Sequence, residues 1–283
     1  MDNDIYKYIE HLVEDNSFLV HAKNILTRKS RNDNVAKLDL IARKYIEYYS
    51  ANLEKGFNES IIKKRVIALN RYYNYIHEEG YDNLYSAQTK FRPTILEEFM
   101  AILFRDLVED VATNISDCKL DLGAIKAYTN LFFYGQDFIS FVENPTIGLN
   151  LKDQDFAVYR TVDIKVDDND SVKACLPIVA VECKTYVDKT MLEGSVATAD
   201  KIKVGNPYSL FCIISEFYDV SINVDPAYSR IDQIYILRKS RRKDSWKEID
   251  ADVVLDFVDF VKKHLTRPWS NIEKKLVETG KII

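Results

Sequence analysis

Apolar positions recur with a period of 3.6 residues along much of the first 80 residues of this chain. The spacing predicts four amphipathic helices, at about 3–15, 17–28, 35–54 and 58–78. Asn58, followed by Glu59 and Ser60, is typical of a helix start. We therefore predict an all-helical subdomain over residues 1–88.

The pattern changes after residue 88 to helices mixed with strands of alternating or continuous apolar residues. Further helices are predicted at 94–113, 124–143, 188–204, 250–265 and 270–278. Strands are predicted at 155–165, 173–184, 208–215 and 231–237. A helix between the second and third strands favours a parallel crossover. Residues 89–283 thus predict an α/β domain, a mixed sheet flanked by helices.

Two of these strands carry charged residues at matching positions. Folding the chain in the middle of the polar turn 167–170 puts Asp155 directly opposite Glu182. Their Cβ atoms would then be about 4.5–5.5 Å apart. Lys184 lies two residues beyond Glu182, so both point to one face. Pro177 cannot donate to the ladder, which predicts a bulge and allows a slip of one residue.

This grouping has a chemical meaning because residues 176–181 are nearly all apolar. Charged side chains at the end of a buried strand need a partner or a metal ion. Two carboxylates suit Mg²⁺, and an adjacent lysine can orient or deprotonate a water or stabilise a charged transition state. The alternative is that these carboxylates are only structural.

Three segments then carry a family resemblance: 92–99 (RPTILEEF), 152–157 (KDQDFA) and 182–190 (ECKTYVDKT). They resemble the BbvCI-like type II restriction endonucleases of the PD-(D/E)XK nuclease superfamily, over roughly residues 90–240. The resemblance implies a PD-(D/E)XK core. It also implies Mg²⁺-dependent hydrolysis of one strand of double-stranded DNA at an asymmetric site, leaving a 5′ phosphate and a 3′ hydroxyl. The implied partner is a related second nuclease subunit in a heterodimer, with a homodimer as the alternative in isolation.

The resemblance also implies which residues act. Asp155, Glu182 and the main-chain carbonyl of Cys183 would hold one or two Mg²⁺ ions, and Lys184 would assist the attacking water. The superfamily has a Pro before its first Asp, where this chain has Gln154. Asp153 therefore stays open as an alternative ligand, although the apolar strand begins right after Asp155.

A further carboxylate is implied on the helix that begins near Pro93. On a helical wheel Glu98 lies at the edge of the apolar stripe, whereas Glu97 points further towards solvent. We therefore expect Glu98 in the site, with Glu97 as the alternative. Helix-dipole complementarity at the N-terminus would explain either residue without catalysis.

The net charge of −5 hides an uneven distribution. Residues 20–75 contain 12 Lys and Arg against 5 Asp and Glu, and a second basic run lies at 238–243. We expect four cations of the fourth helix to contact DNA phosphates: Lys63, Lys64, Arg65 and Arg71. The alternative is that they form a solvated helix face.

Two other functions stay open, a non-catalytic DNA-binding subunit and a repair or transposon-associated nuclease without strict sequence specificity.

The positions of the cysteines and histidines reduce the kinds of metal and catalytic site that are expected. The four Cys are isolated and the four His are scattered, so neither a zinc site nor a histidine-based site is expected. The N-terminus lacks the pattern of a secretory signal, and no apolar run has the length of a membrane span. We expect a bacterial cytoplasmic protein that does not bind membranes.

Overall fold

The computed structural model describes residues 2–85, 90–113, 115, 119–165, 171–267, 269 and 272–280. The helices are α1 (Asp2–Asp15), α2 (Val20–Ser30), α3 (Val35–Ala51), α4 (Glu59–Glu78), α5 (Pro93–Thr113), α6 (Phe138–Glu143), α7 (Lys189–Gly205), α8 (Ala251–Thr266) and α9 (Ile272–Thr279). The strands are β1 (Leu120–Tyr134), β2 (Thr146–Ile164), β3 (Val172–Val187), β4 (Leu210–Tyr218) and β5 (Gln233–Ile236). Most of the predicted elements are present within a few residues of their expected ends.

Side-chain caps begin two of the predicted helices. The Asn58 side chain accepts a hydrogen bond from the Ile61 amide at 3.1 Å, which starts α4. Asp188 accepts from the Met191 amide at 2.8 Å and starts α7. Both caps satisfy amides that have no partner within the helix.

The strands form one mixed sheet in the order β1-β2-β3-β4-β5. β2 is antiparallel to both β1 and β3, whereas β3, β4 and β5 run parallel. The parallel pairing of β3 with β4 follows from the crossover through α7, as predicted. The mixed sheet flanked by helices and the N-terminal helical region confirm the predicted fold class.

The register of β2 on β3 determines which residues meet at the site. Phe156 pairs with Val181, and the same register continued by one residue places Asp155 opposite Glu182. A bulge beside Pro177 shifts the pairing by one residue, so that Val158 pairs with Val179 but Tyr159 pairs with Pro177. The predicted bulge is thus confirmed, while the turn at 167–170 lies outside the described residues.

The helix predicted at 124–143 is wrong. The chain forms β1 through Tyr134 and then the short helix α6. β1 pairs with β2 from Leu120 to Tyr134, so β2 begins at Thr146, well before the predicted strand. The aromatic and β-branched residues at 128–134 favour a strand, but the outer part of β1 is exposed on both faces, which removes the alternation of a half-buried strand.

One hydrophobic cluster joins the N-terminal helices to the sheet. It includes Ile25 of α2, Leu69 of α4, Phe104 of α5, Val181 of β3 and Phe257 of α8, all fully buried. A smaller cluster on the other sheet face packs α7 against β3 and β4. The predicted boundary after residue 88 falls among residues 86–89, which are not described, and the helices before it share this core.

Beyond its contact with β3, the β1–β2 pair continues as a two-stranded ribbon. Residues 130–134 of β1 pair with 146–150 of β2, and α6 closes the tip. In the described parts of the chain, no helix is both long and apolar enough to span a membrane.

Candidate active site

Asp155, Glu182 and Lys184 meet at one end of the β2–β3 pair. The Lys184 Nζ atom lies 3.2 Å from Glu182 Oε2 and 3.6 Å from Asp155 Oδ2. All three side chains are mostly buried, with 27%, 10% and 20% of the Lys184, Glu182 and Asp155 side chains exposed. The structure thus brings together the three residues that the sequence placed opposite one another.

Two hydrogen bonds hold the carboxylates in position. The Cys183 amide donates to Asp155 Oδ2 at 3.0 Å, which ties the end of β2 to β3. Ser195 of α7 donates from its hydroxyl to Glu182 Oε2 at 2.6 Å. Ser195 was not found by sequence reasoning, because nothing in the spacing along α7 marks one buried serine among its polar residues.

The alternative between Asp153 and Asp155 is resolved in terms of position. Asp155 lines the cleft together with Cys183 and Lys184. Asp153 is exposed and pairs across the ladder with Lys126 of β1. The β1–β2 ladder is regular at Asp153 but shifts register between Gln154 and Ala157, so Asp155 lies in the irregular stretch and has different surroundings.

The expectation that Glu98 faces this cluster is wrong, and Glu97 does so instead. Glu97 lines the cleft with Asp155 and Lys184. Burial, together with repulsion from Asp155, raises the pKa of Glu97 to about 7. The helical wheel pointed Glu97 away from the apolar stripe and therefore towards solvent. It could not show that the cleft lies on that side of α5.

Glu98 has a structural position on the side of α5 that faces α2. It is fully buried, and its Oε2 atom accepts from the His21 and Ala22 amides at 2.9 and 3.1 Å. These amides belong to the first turn of α2, where a carboxylate is favourable. Burial nevertheless raises the pKa of Glu98 to about 7. Glu98 therefore fastens α5 to α2.

The two neighbouring glutamates should behave differently when each is changed to alanine. We expect Glu98→Ala to lower the free energy of unfolding by about 2–3 kcal/mol, because two buried amides lose their acceptor. We expect Glu97→Ala to change stability by less than about 1 kcal/mol, because Glu97 is only half-buried at the cleft and does not bind the α2 amides. Urea unfolding of both variants checks this, each serving as the control for the other. Equal destabilisation by the two changes would contradict the assignment.

Burial and neighbouring charges also shift the pKa values of Lys184 and of the Cys183 thiol. Burial would lower the pKa of Lys184, but attraction by Glu182 and Asp155 outweighs burial and raises it. Burial raises the pKa of the Cys183 thiol well above its usual range. Cys183 therefore offers a neutral thiol and a main-chain carbonyl, and of these the carbonyl is the ligand suited to Mg²⁺.

The donors present fit a hard divalent cation. Two carboxylates already converge on the positive charge of one ammonium group, so positive charge is favoured between them. Among the described residues no three or more His, Cys, Asp and Glu side chains are grouped as metal ligands. A cation here would therefore depend on two carboxylates, a main-chain carbonyl and groups from outside the chain. Mg²⁺ usually takes one or two carboxylates, with phosphate and water completing its coordination. Asp155, Glu182 and the Cys183 carbonyl match that requirement better than the requirement of zinc.

The basic residues predicted on α4 separate into two groups. Lys63 is half-buried and pairs with Glu59 at 2.7 Å, and Lys64 is exposed and pairs with Glu54 at 2.8 Å. Arg71 is exposed as well. For these three, contact with DNA stays a prediction, and none of them is among the residues that line the cleft described above.

Arg65 cannot contact DNA in this fold, so that prediction is wrong. Its side chain is 1% exposed, and Nη2 lies 2.5 Å from Asp106 Oδ2 on α5. It also donates to the main-chain carbonyls of Leu103 and Glu54. Consecutive basic residues in a sequence do not reveal which of them points inward, because one helical turn includes both the buried and the exposed face of the helix.

Removal of Arg65 should therefore affect stability. We expect Arg65→Ala to lower the free energy of unfolding by about 3 kcal/mol, because the buried Asp106 carboxylate loses its closest cation and keeps only Arg105 and the Gly56 amide. Arg71→Ala, which removes an exposed arginine from the same helix, is the control and should change it by less than about 0.5 kcal/mol. Chemical unfolding of both variants is the measurement, and an Arg65→Ala protein as stable as wild type would refute the buried pairing.

Other cations do line the cleft: Lys90, Arg92 and Arg242. Arg92 is held by Glu216 at 2.9 Å and by Asp82. Lys90 and Arg242 are exposed, and the Arg242 guanidinium lies 4.0 Å from the centre of the Tyr186 ring. Arg242 belongs to the basic run at 238–243, whereas Arg238 of the same run is buried against Glu216.

Comparisons with known proteins agree with this architecture. The structure is similar to one described as "native BbvCI A2B2 tetramer at low resolution", with a TM-score of 0.65 and 19% identity, over 88% of this chain and 96% of that chain. No curated protein matches the chain. The family model of the Bpu10I restriction endonuclease matches residues 88–275. That match covers more than half of the chain and confirms the resemblance, so the chain belongs to the Bpu10I restriction endonuclease family.

Proposed function

We propose that this chain is a subunit of a type II restriction endonuclease that hydrolyses one strand of double-stranded DNA at a specific, asymmetric site, with Mg²⁺. The observation that carries the proposal is that the Lys184 ammonium lies within 3.6 Å of both Asp155 and Glu182, beside a cleft that Glu97, Asp155 and Lys184 line. Membership of the restriction endonuclease family supports the same reaction class.

Each residue has a distinct task in the proposed reaction. Asp155, Glu182 and the Cys183 carbonyl would hold Mg²⁺, which supplies Lewis-acid stabilisation of the charge that builds on the phosphate. Lys184 presents its ammonium group to the attacking water and to the phosphate oxygens. Ser195 keeps Glu182 in one orientation through its 2.6 Å hydrogen bond. Glu97 would accept a proton or complete a second cation position.

The DNA backbone would approach along the cleft mouth. Lys90 and Arg242 are the exposed cations there, and we assign phosphate contacts to them. Such contacts fix the orientation of the duplex but do not read its sequence. Lys63, Lys64 and Arg71 would contribute more weakly, because none of them lines the cleft, whereas Arg242 does so although it also pairs with Asp219 at 3.3 Å.

A second subunit is part of the proposal. The neighbouring structure is described as an A2B2 tetramer, which contains two kinds of chain. The part of the chain that the structure describes has one such cluster, Asp155–Glu182–Lys184, so we propose that a related chain supplies the site that cuts the other strand. The assembly would be a heterodimer or a multiple of it, acting in the bacterial cytoplasm.

Plasmid digestion tests the function directly. Supercoiled plasmid is incubated with this chain alone and with candidate related chains, with Mg²⁺ and with EDTA. Discrete fragments that require Mg²⁺ and a related chain are expected. Random degradation would indicate a nuclease without sequence specificity, and the absence of any cleavage with every related chain would indicate a non-catalytic subunit.

A further inference from the structure

Tyr186 of β3 continues the row of active-site side chains along the strand. Glu182, Lys184 and Tyr186 are spaced two residues apart, so their side chains leave β3 on the same face. Tyr186 lines the cleft together with Lys184. A step of two residues along a strand covers about 6.5 Å, so the Tyr186 side chain starts at that distance from the start of the Lys184 side chain. No step of the proposed reaction uses this ring.

The guanidinium group of Arg242 lies on the face of the Tyr186 ring. Its central carbon is 4.0 Å from the ring centre, which is within the range of a cation–π contact. Arg242 lines the cleft as well, and 57% of its side chain is exposed. The N–H bonds of a guanidinium lie in the plane of the group, so stacking on a ring leaves them directed sideways. The stacked arginine can therefore still donate hydrogen bonds to an anion in the cleft.

Asp219 fixes Arg242 from a second side. Its Oδ1 atom accepts from the Arg242 amide at 3.1 Å, and its Oδ2 atom lies 3.3 Å from Arg242 Nε. The Asp219 amide donates to the Val187 carbonyl at 2.8 Å, directly after Tyr186. The main chain and the guanidinium of Arg242 are thus both tied to the end of β3. The contact through Nε does not use the edge formed by Nη1 and Nη2, and that edge can donate two hydrogen bonds to one phosphate.

We propose that Tyr186 is a positioning residue that holds Arg242 beside Lys184, so that Arg242 binds a phosphate next to the scissile one. This inference rests on the proposed function. An exposed arginine loses side-chain freedom when it binds DNA, and a ring that already restricts it lowers that cost. Phosphates follow one another at every nucleotide of a strand, so a cation stacked on the residue two positions beyond Lys184 is placed for a neighbour of the phosphate being cut. Tyr186 then helps to orient the DNA backbone without touching the reacting atoms.

Affinity for duplex DNA tests the pair without any cleavage. Wild type and variants, together with the related chain where binding requires it, are titrated against a fluorescent duplex in EDTA at several salt concentrations. We expect Arg242→Ala to weaken binding about 10-fold and to flatten the slope of log affinity against log salt by about one. Tyr186→Leu should weaken binding about 2–5-fold, because the cation remains but loses the ring beneath it. Tyr186→Phe keeps the ring and should bind DNA like the wild type.

A double-mutant cycle separates positioning from a purely structural role. Tyr186→Leu should cause no further loss in an Arg242→Ala background, because the ring acts only through the guanidinium. Lys243→Ala is the matched control: it removes an exposed charge next to Arg242 that is not among the residues lining the cleft, and it should keep the wild-type slope. Additive losses in the double variant, an unchanged slope for Arg242→Ala, or a Tyr186→Phe protein as weak as Tyr186→Leu would overturn the proposal.

Substrates with one neutral phosphate locate the contact. After plasmid digestion has mapped the cut, a methylphosphonate replaces each neighbour of the scissile phosphate in turn. One of the two substrates should bind the wild type about 10-fold more weakly and bind Arg242→Ala as well as unmodified DNA does. Equal sensitivity of the two proteins to both substrates would refute the contact.

Failure of this inference is distinguishable from failure of the proposed function. A wild type that cleaves DNA but shows no coupling between Tyr186 and Arg242 refutes the positioning role alone. A wild type that binds DNA without cleaving it refutes the nuclease function, and the binding cycle still decides whether Tyr186 positions Arg242 on DNA.

Discussion

A Lys184→Ala variant is expected to cleave DNA at least about 10²–10³-fold more slowly than the wild type while binding it nearly as well. The ammonium group lies 3.2 and 3.6 Å from the two carboxylates, and in the proposed reaction it stabilises the charge that builds on the phosphate. Loss of an interaction made mainly in the transition state appears in the rate and leaves affinity nearly unchanged. Glu182→Ala should have the same effect, because it removes a proposed cation ligand.

Lys189→Ala is the matched control for this loss. It removes a lysine of the same β3–α7 segment, but its side chain is 72% exposed and lies against Glu193. Single-turnover cleavage rates and DNA-binding curves for the variants are the measurements. A Lys184→Ala enzyme that cuts at nearly the wild-type rate in Mg²⁺ would show that the site is assigned wrongly.

Paired with the related subunit, a Lys184→Glu variant is expected to nick DNA. The substitution places a negative charge where the reaction needs a positive one, so this chain stops cutting its strand. The partner's site is untouched and continues to cut the other strand. Conversion of a double-strand cut to a nick is the largest qualitative change that we expect from one substitution.

Mapping of the nicked plasmid by sequencing from both sides measures this outcome. All breaks should lie on one strand and at one site. Lys189→Glu, with the same charge change outside the cluster, should still give linear DNA. Breaks on both strands with Lys184→Glu, or efficient double-strand cleavage by this chain alone, would contradict the proposed division of labour.

The grouping of Asp155, Glu182 and Lys184 could be predicted from the sequence because it depends on the pairing of two neighbouring strands. Asp155 and Glu182 meet through one hairpin whose register follows from the turn and the apolar pattern. The parallel β3–β4 pair could be predicted for a similar reason, since a helix joins the two strands. In both cases the information lies in neighbouring segments of the chain.

The errors occurred where distant segments decide the outcome. Whether Glu97 or Glu98 faces the site depends on α2, whose first amides bind Glu98 from 76 and 77 residues away. Arg65 turns inward because Asp106 of α5 lies beneath it. The helix wrongly predicted over β1 has a different cause. The outer part of β1 covers no core, so its sequence lacks the alternation of apolar and polar residues that identifies a strand.

The N-terminal helices and the sheet share one core. Segments of this chain therefore cannot be exchanged independently with those of a related chain. A chimera joined near residue 88 would set α5 of one parent against α2 of another, and its Glu98 would have to meet foreign amides. Asn70 of α4 adds a second such dependence, since it exchanges hydrogen bonds with the Ile249 main chain beside α8. New specificities in chains of this architecture are therefore more readily obtained by replacing surface residues around the cleft than by transplanting whole segments.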